Sequence, residues 1–147
     1  MANYMGTART NYFRVTDEAK YKKLSAHLLS EDTIHDFSFT KDNVVWHGFG
    51  AYSSIEFELP DENANSEETD DPEIVDIFEF GKRLQDILPE GEAFIYQECG
   101  YEKLRYVTAF CVIATKDDIK CLDMTNSAIK MAQDMLKDDK WTTKMEY

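Results

Sequence analysis

In the segment Asn11-Tyr-Phe-Arg-Val-Thr16 the side chains alternate, Phe13 and Val15 on one side of an extended chain and Tyr12 and Arg14 on the other. That period of two predicts a first strand. Asp17 then offers a side-chain acceptor to free N–H groups, and Tyr21, Leu24 and Leu28 recur at helical spacing. A short amphipathic helix to about Leu29 is predicted. Ile34 to Thr40 alternates with Phe37 and Phe39 in phase, Lys41-Asp42-Asn43 reads as a tight turn, and Val44-Val-Trp-His47 as the returning strand. Gly48-Phe-Gly50 interrupts the pattern and is expected to be a bulge or bend. From Ser54 to Leu59 the alternation resumes, with Ile55, Phe57 and Leu59 inward and Glu56 and Glu58 outward.

Pro60 to Asp71 is a polar loop, long for a compact domain and hence functional or mobile. Asp71-Pro72-Glu73 has the chemistry of a helix start: an N-cap acid, a proline at the first helical position, and acids near the positive end of the helix dipole. The stripe Ile74, Ile77, Phe78, Leu84, Ile87, Leu88 predicts the helix that follows, ended by Pro89-Glu90-Gly91. Strands are predicted over Glu92 to Glu98, Arg105 to Thr115 and Ile119 to Met124, with turns around Gly100 and at Lys116-Asp117-Asp118. Val107-Thr-Ala-Phe-Cys-Val-Ile113 is apolar on both faces, as a central strand covered by helices would be. Ala128, Ile129, Ala132, Met135 and Leu136 mark a third helix, capped by Thr125 or Asn126. In the tail Lys140 to Tyr147, Trp141, Met145 and Tyr147 are in phase, which leaves an edge strand and a loose tail both open. The order β-α-β-β-β-α-β-β-β-α, with that tail as a further edge strand, predicts an α+β domain: an antiparallel sheet carrying three helices on one face. With 147 residues, one domain spanning 1–147 is expected, with the acidic loop at 60–71 set into it.

Charge changes this picture most. Of a formal net charge of −13, residues 42–81 carry twelve acids and no lysine or arginine, while the flanking segments nearly balance. Such a face repels phosphates, so direct nucleic-acid binding is disfavoured, and a basic protein surface is its complement. No apolar run reaches the length of a membrane span. The N-terminus MANYMGTARTNYF lacks the apolar core of a secretory signal, and a cytoplasmic location is expected. Cys99, Cys111 and Cys121 include no CxxC pair, and free, mostly buried thiols in a reducing compartment are expected.

Catalytic chemistry is hard to assemble from these residues. If the chain turns at Lys41-Asp42, His35 and His47 fall nearly opposite, and with Asp36 could ligate a metal; ordinary strand histidines explain the same spacing. Cys99 beside Gly100 has no visible partner that would lower its pKa, and Cys111 belongs to an apolar run. Gly48-Phe-Gly-Ala lacks the third glycine and the following helix of a phosphate-binding fingerprint. Residues 61–73 lack the central glycine of a calcium loop. No cofactor, metal or catalytic residue is assigned, and a non-enzymatic protein is expected.

The acidic segment itself admits two readings. One is a solvated face that serves solubility. The other is a contact surface built from Asp61, Glu62, Glu67, Glu68, Asp70, Asp71, Glu73, Asp76 and Glu79. On the predicted helix Glu73, Asp76 and Glu79 recur every third residue, a rise of ~4.5 Å per step, comparable to the ~3.4 Å per charge of one DNA strand. Lys82 and Arg83 stand where they can pair with Glu79 and reduce that likeness.

The segments ARTNYFRVTDEAKY, WHGFGAYSSIEF, ILPEGEAFIY and GYEKLRYVTAF resemble those of small uncharacterised acidic proteins carried by bacterial phages and conjugative elements. The resemblance covers much of the folded part and carries no activity or residue role with it. It implies a setting in which small acidic proteins act as anti-CRISPR or antirestriction inhibitors, some of them DNA mimics. The leading expectation is therefore an inhibitor that lays its acidic surface in the basic groove of a CRISPR or restriction nuclease. Two alternatives stand beside it. One is a small-ligand-binding or enzymatic domain using the concave sheet near Trp46, His47, Phe49, Tyr52, Tyr96 and Tyr101; the other is a regulatory subunit that pairs through the C-terminal strand. Oligomeric state is left open.

Overall fold

The computed structural model describes residues 4–60 and 73–144. Its elements run β1 (Met5–Thr10), α1 (Glu18–Ser25), β2 (Leu28–Ser30), β3 (His35–Asp36), β4 (Phe39–Lys41), β5 (Val44–Trp46), β6 (Phe49–Ala51), β7 (Ile55–Glu58), β8 (Ile74–Asp76), α2 (Ile77–Leu84), β9 (Ala93–Glu102), β10 (Tyr106–Thr115), β11 (Ile119–Asp123) and α3 (Met124–Leu136). The fold is α+β. A six-stranded sheet has the order β11-β10-β9-β1-β6-β3, a second sheet the order β2-β7-β8, and β4-β5 form a separate hairpin. Each recorded pairing is antiparallel.

Several local expectations hold for local reasons. Asp17 caps α1, its carboxylate accepting from Lys20 N–H. Asp42 and Asn43 both take positive φ (54° and 64°), the geometry a two-residue hairpin turn requires and asparagine tolerates. In β7, Ile55 and Phe57 are buried and Glu56 is exposed.

Other expectations are corrected. The first strand is Met5–Thr10 rather than 11–16, where Phe13 makes only an isolated bridge to His47. The first helix ends at Ser25, because Leu28–Ser30 pair with β7 instead of extending it. Phe49-Gly50-Ala51 is a buried strand, with room beside Gly50 only for a hydrogen: a Cβ there would stand 2.7 Å from the Ala8 carbonyl oxygen. Gly100 lies inside β9, paired with Gly6 of β1, and Tyr4 is laid across both. A Cβ at either glycine would meet the Tyr4 ring and displace it, and at Gly100 it would also meet the Met5 carbonyl oxygen. Of the two readings left open for the tail, residues 140–144 form no strand and the Trp141 carbonyl accepts from the Gln133 side chain, while Met145 and Tyr147 lie outside the described residues. Helices occupy both faces of the large sheet instead of one face: α2 lies against Val112 and Ala114, and α3 lies on the side of Cys111 and Leu122.

The core lies between the six-stranded sheet, α2 and the smaller sheet. Ile77, Phe80 and Leu84 of α2 are buried against Phe49, Phe57, Phe94 and Val112. Phe80 meets Phe49, Phe57 and Phe94 at ring-centroid distances of 5.6–5.8 Å, all steeply inclined. Such edge-to-face contacts add to the area each ring removes from water. Gly81 lets α2 approach the sheet, since a Cβ there would stand 3.0 Å from Ile119 Cδ1.

At one end of this core sits a buried carboxylate. Glu98 accepts from the Tyr96 hydroxyl (2.6 Å) at Oε1, and from the Tyr4 hydroxyl (3.0 Å) and Ser54 hydroxyl (2.9 Å) at Oε2. The Tyr96 oxygen in turn accepts from Ile55 N–H. The network ties the start of β7 to the sheet. Burial, then the Glu98 carboxylate, pushes the Tyr96 and Tyr4 phenols well above their ordinary value of 10.0. Burial does the same to Tyr21, helped by the carboxylates of Asp36 and Glu18. In the unfolded chain all three ionise near 10.0, whereas in the folded chain they hold their protons. Stability from these groups is therefore complete below that pH and is lost as pH rises above it. Denaturant melts between about pH 9 and about pH 11 should show a falling midpoint. These three rings should give no tyrosinate absorbance until the chain unfolds.

Candidate functional site

Two surfaces stand out once the fold is in place. The first carries the described part of the predicted acidic site. Asp61, Glu62, Glu67, Glu68, Asp70 and Asp71 lie outside the described residues, as does the predicted helix start at Asp71-Pro72. Glu73, Asp76 and Glu79 are described, and they do not form a row on one helix. Residues 74–76 are a strand, paired to β7 with Glu56 opposite Asp76 and Glu58 opposite Ile74. The helix begins at Ile77, capped by Asp76, whose carboxylate accepts from Phe78 N–H. Glu79 is on the first turn of α2, within ion-pair distance of Lys82 (3.8 Å) and Arg83 (3.5 Å). The helical likeness to a phosphate row is thus removed: Ile74 and Val75 suit a strand or a helix, and pairing with β7 decides for the strand.

A different acidic arrangement takes its place. Leu59 N–H donates to the Glu73 carbonyl (2.9 Å), which continues the β7–β8 pairing to Leu59 and Glu73. Glu56, Glu58 and Asp76 stand on the hairpin's outer face, opposite Phe57 and Val75 on the inner one. Among the described residues no ion pair includes Glu56, Glu58, Glu73 or Asp76. Like charges placed directly opposite across a strand pair destabilise it.

The second surface is the other face of the six-stranded sheet, which the sequence pattern does not single out. Arg9, Gln97, Cys111 and Leu122 form one row across four strands; Met5, Tyr101 and Val107, each about half exposed (56%, 50% and 54%), continue the same face. So β10 is apolar on both sides for two reasons: Val112 and Ala114 pack under α2, while the alternate residues floor an open groove. α3 walls the groove with Met124, Ala128 and Met131, spaced four and three apart on one side of the helix. No residue of α3 is fully buried, so the predicted inward stripe is corrected: Ile129 and Ala132 are half-buried, whereas Ala128, Met135 and Leu136 are exposed. The opposite wall is aromatic, with Phe37 and Tyr52 flanking His35. The volume of the groove is about 770 Å³.

The remaining candidates are dispersed. His35 pairs with Gly50, and His47 with Phe13, so the two histidines are not neighbours across a hairpin. His47 is buried, its Nε2 2.7 Å from a Glu18 carboxylate oxygen and its ring 4.0 Å from that of Tyr21. Among the described residues no three histidine, cysteine or acidic side chains cluster to hold a metal ion. Against the expectation of mostly buried thiols, Cys99 and Cys121 are exposed and Cys111 is half-buried; burial followed by the Asp123 and Asp76 carboxylates raises the Cys121 pKa, which opposes a nucleophilic role. Of the residues assigned to a concave ligand site, Tyr52 borders the groove, while Phe49 and Tyr96 belong to the core on the other face. No helix among the described residues is long and apolar enough to cross a membrane.

No protein-family model, curated protein or solved structure gives a significant match to this chain.

Proposed function

We propose that the protein is a non-enzymatic binding protein whose acidic β7–β8 hairpin docks on a lysine- and arginine-rich surface of another protein. The groove of a nucleic-acid-handling enzyme, such as a CRISPR or restriction nuclease, fits that description. The observation that carries the reading is the hairpin root. Glu56 and Asp76 stand opposite each other in the β7–β8 register with no ion-pair partner among the described residues, and in sequence the two strands are joined by the acid-rich stretch 61–71. A surface serving solubility alone mixes signs. Here repulsion within the free protein is relieved when cations of a partner arrive, so part of the binding free energy comes from the unbound state. The partner is approached under long-range attraction, which makes association fast and strongly weakened by salt.

The test is a variant with Asp61, Glu62, Glu67, Glu68, Asp70 and Glu73 changed to Asn or Gln. It leaves untouched the Asp76 cap and the Glu79 ion pairs. Affinity capture from the host at low and high salt should recover a basic protein with the native chain at low salt only. The variant should recover none of it, with a melting temperature equal to or slightly above that of the native chain. Equal capture by both proteins would remove the proposal.

A further inference from the structure

Beyond that reading, we infer that the groove between α3 and the six-stranded sheet is a binding site for an apolar monocarboxylate, a medium-chain fatty acid being the simplest member of the class. The groove's size falls within the range of small-molecule sites, roughly 300–1,000 Å³, and its lining is mostly apolar with a few polar groups, as such sites are. What identifies the ligand is Arg9. Its guanidinium carbon lies 5.1 Å from the Phe37 ring centroid and 5.8 Å from that of Tyr12, and its Nε donates to the Thr10 carbonyl (3.2 Å). Tyr12 is itself seated edge-on against Phe39 (5.1 Å), so the cation is held by a braced pair of rings.

In a chain with 29 acidic residues and 16 basic ones, this arginine has no carboxylate partner among the described residues. Two acids beside the groove are already engaged. Glu98 is turned to the other face of the sheet and saturated by three hydroxyl groups. Asp32 accepts from Tyr52 N–H (2.9 Å) and stands 3.7 Å from His35. The guanidinium fork therefore presents unused donors at the edge of an apolar trough, and a planar carboxylate is the group they match. The methionines of the α3 wall, Met124 and Met131, are unbranched and polarizable and adapt to an alkyl chain of variable path. The acid-bearing hairpin belongs to the other sheet, so this site and the proposed protein-docking surface do not compete for residues.

The experiment is a titration of the full chain with dodecanoate and, separately, with dodecanol, followed by calorimetry and by amide shifts. Saturable binding of dodecanoate at one equivalent is expected, with shifts at Arg9, Cys111 and Met131. Arg9→Gln should weaken dodecanoate at least tenfold and change dodecanol little. Met131→Glu, at a position 66% exposed, should also weaken dodecanoate while leaving the fold intact. The inference fails if dodecanoate does not saturate, if Arg9→Gln binds it as well as the native chain, or if its shifts map to the α2 side. It fails equally if concentration-dependent self-association covers Tyr52 and Met131, for then a second copy is the occupant. None of these outcomes bears on the hairpin, whose test reads a different surface.

Discussion

Replacing Phe80 by alanine should destabilise the protein by about 3–5 kcal/mol, the largest loss expected from any single core truncation here. Phe80 is fully buried on α2, and its ring is met by those of Phe49, Phe57 and Phe94, which come from β6, β7 and β9. Those strands belong to two different sheets, so one side chain links the six-stranded sheet, the three-stranded sheet and the helix between them. Removing it leaves a cavity that none of the three surrounding rings can fill without leaving its own contacts. Phe80→Leu keeps most of the volume and loses the inclined ring contacts, and should cost roughly 1–2 kcal/mol. Urea melts of the two variants separate volume from ring geometry. A loss below about 1 kcal/mol for the alanine variant would mean that α2 does not pack where it is placed.

The same helix shows where local pattern stops being informative. Asp17 and the Asp42-Asn43 turn were legible because capping and positive φ are decided within a few residues. Ile74-Val75-Asp76 was not. Its β-branched pair fits a helical stripe and a strand equally well, and what selects the strand is pairing with Phe57, which no local pattern encodes. The shift moves Asp76 from the middle of an expected helix to its cap, and with it goes the regular spacing of Glu73, Asp76 and Glu79. The acidity of the region was legible as composition; its shape was not.

β1 was missed for the converse reason. Met5-Gly-Thr-Ala-Arg-Thr10 shows no alternation of large apolar residues, yet it lies in the interior of the sheet, between β9 and β6. Its inward side uses small residues: Gly6 lies under the Tyr4 ring, Ala8 is buried, and the Thr10 hydroxyl accepts from Phe49 N–H (3.0 Å). Its outward side carries Arg9. The groove is likewise invisible in sequence, because it is assembled from single residues of several strands and one side of α3, each ordinary in its own segment. The one available signal was the run Val107 to Ile113. Apolar character on both faces was correctly read as cover on both faces, but on one of them the cover is incomplete.

Glu98→Ala is expected to cost about 2–4 kcal/mol, second only to the loss of Phe80. A buried glutamate in an apolar strand reads as a liability, and its effect on stability comes from what it accepts. Without its carboxylate, the Tyr96 hydroxyl remains buried with no acceptor, while Tyr4 and Ser54, which are only half-buried, can turn to water. The cost should therefore fall mainly on Tyr96. Glu98→Gln keeps one carbonyl acceptor and offers an amide to hydroxyl oxygens that can accept, and should cost roughly 1–2 kcal/mol. Tyr96→Phe removes the donor, but it also strips the Ile55 N–H of its acceptor, so it is not neutral alone. Combined with Glu98→Ala it should be less damaging than the two single changes added together, with a coupling of about 1–2 kcal/mol. Strict additivity in that cycle, or a Glu98→Ala loss under about 1 kcal/mol, would place the carboxylate in water and dissolve the network. The cycle also bears on pH. The Tyr96 phenol is held up first by burial and then by Glu98. Removing Glu98 should therefore bring its ionisation in the folded chain down toward 10.0, and with it soften the alkaline loss of stability expected of the native protein.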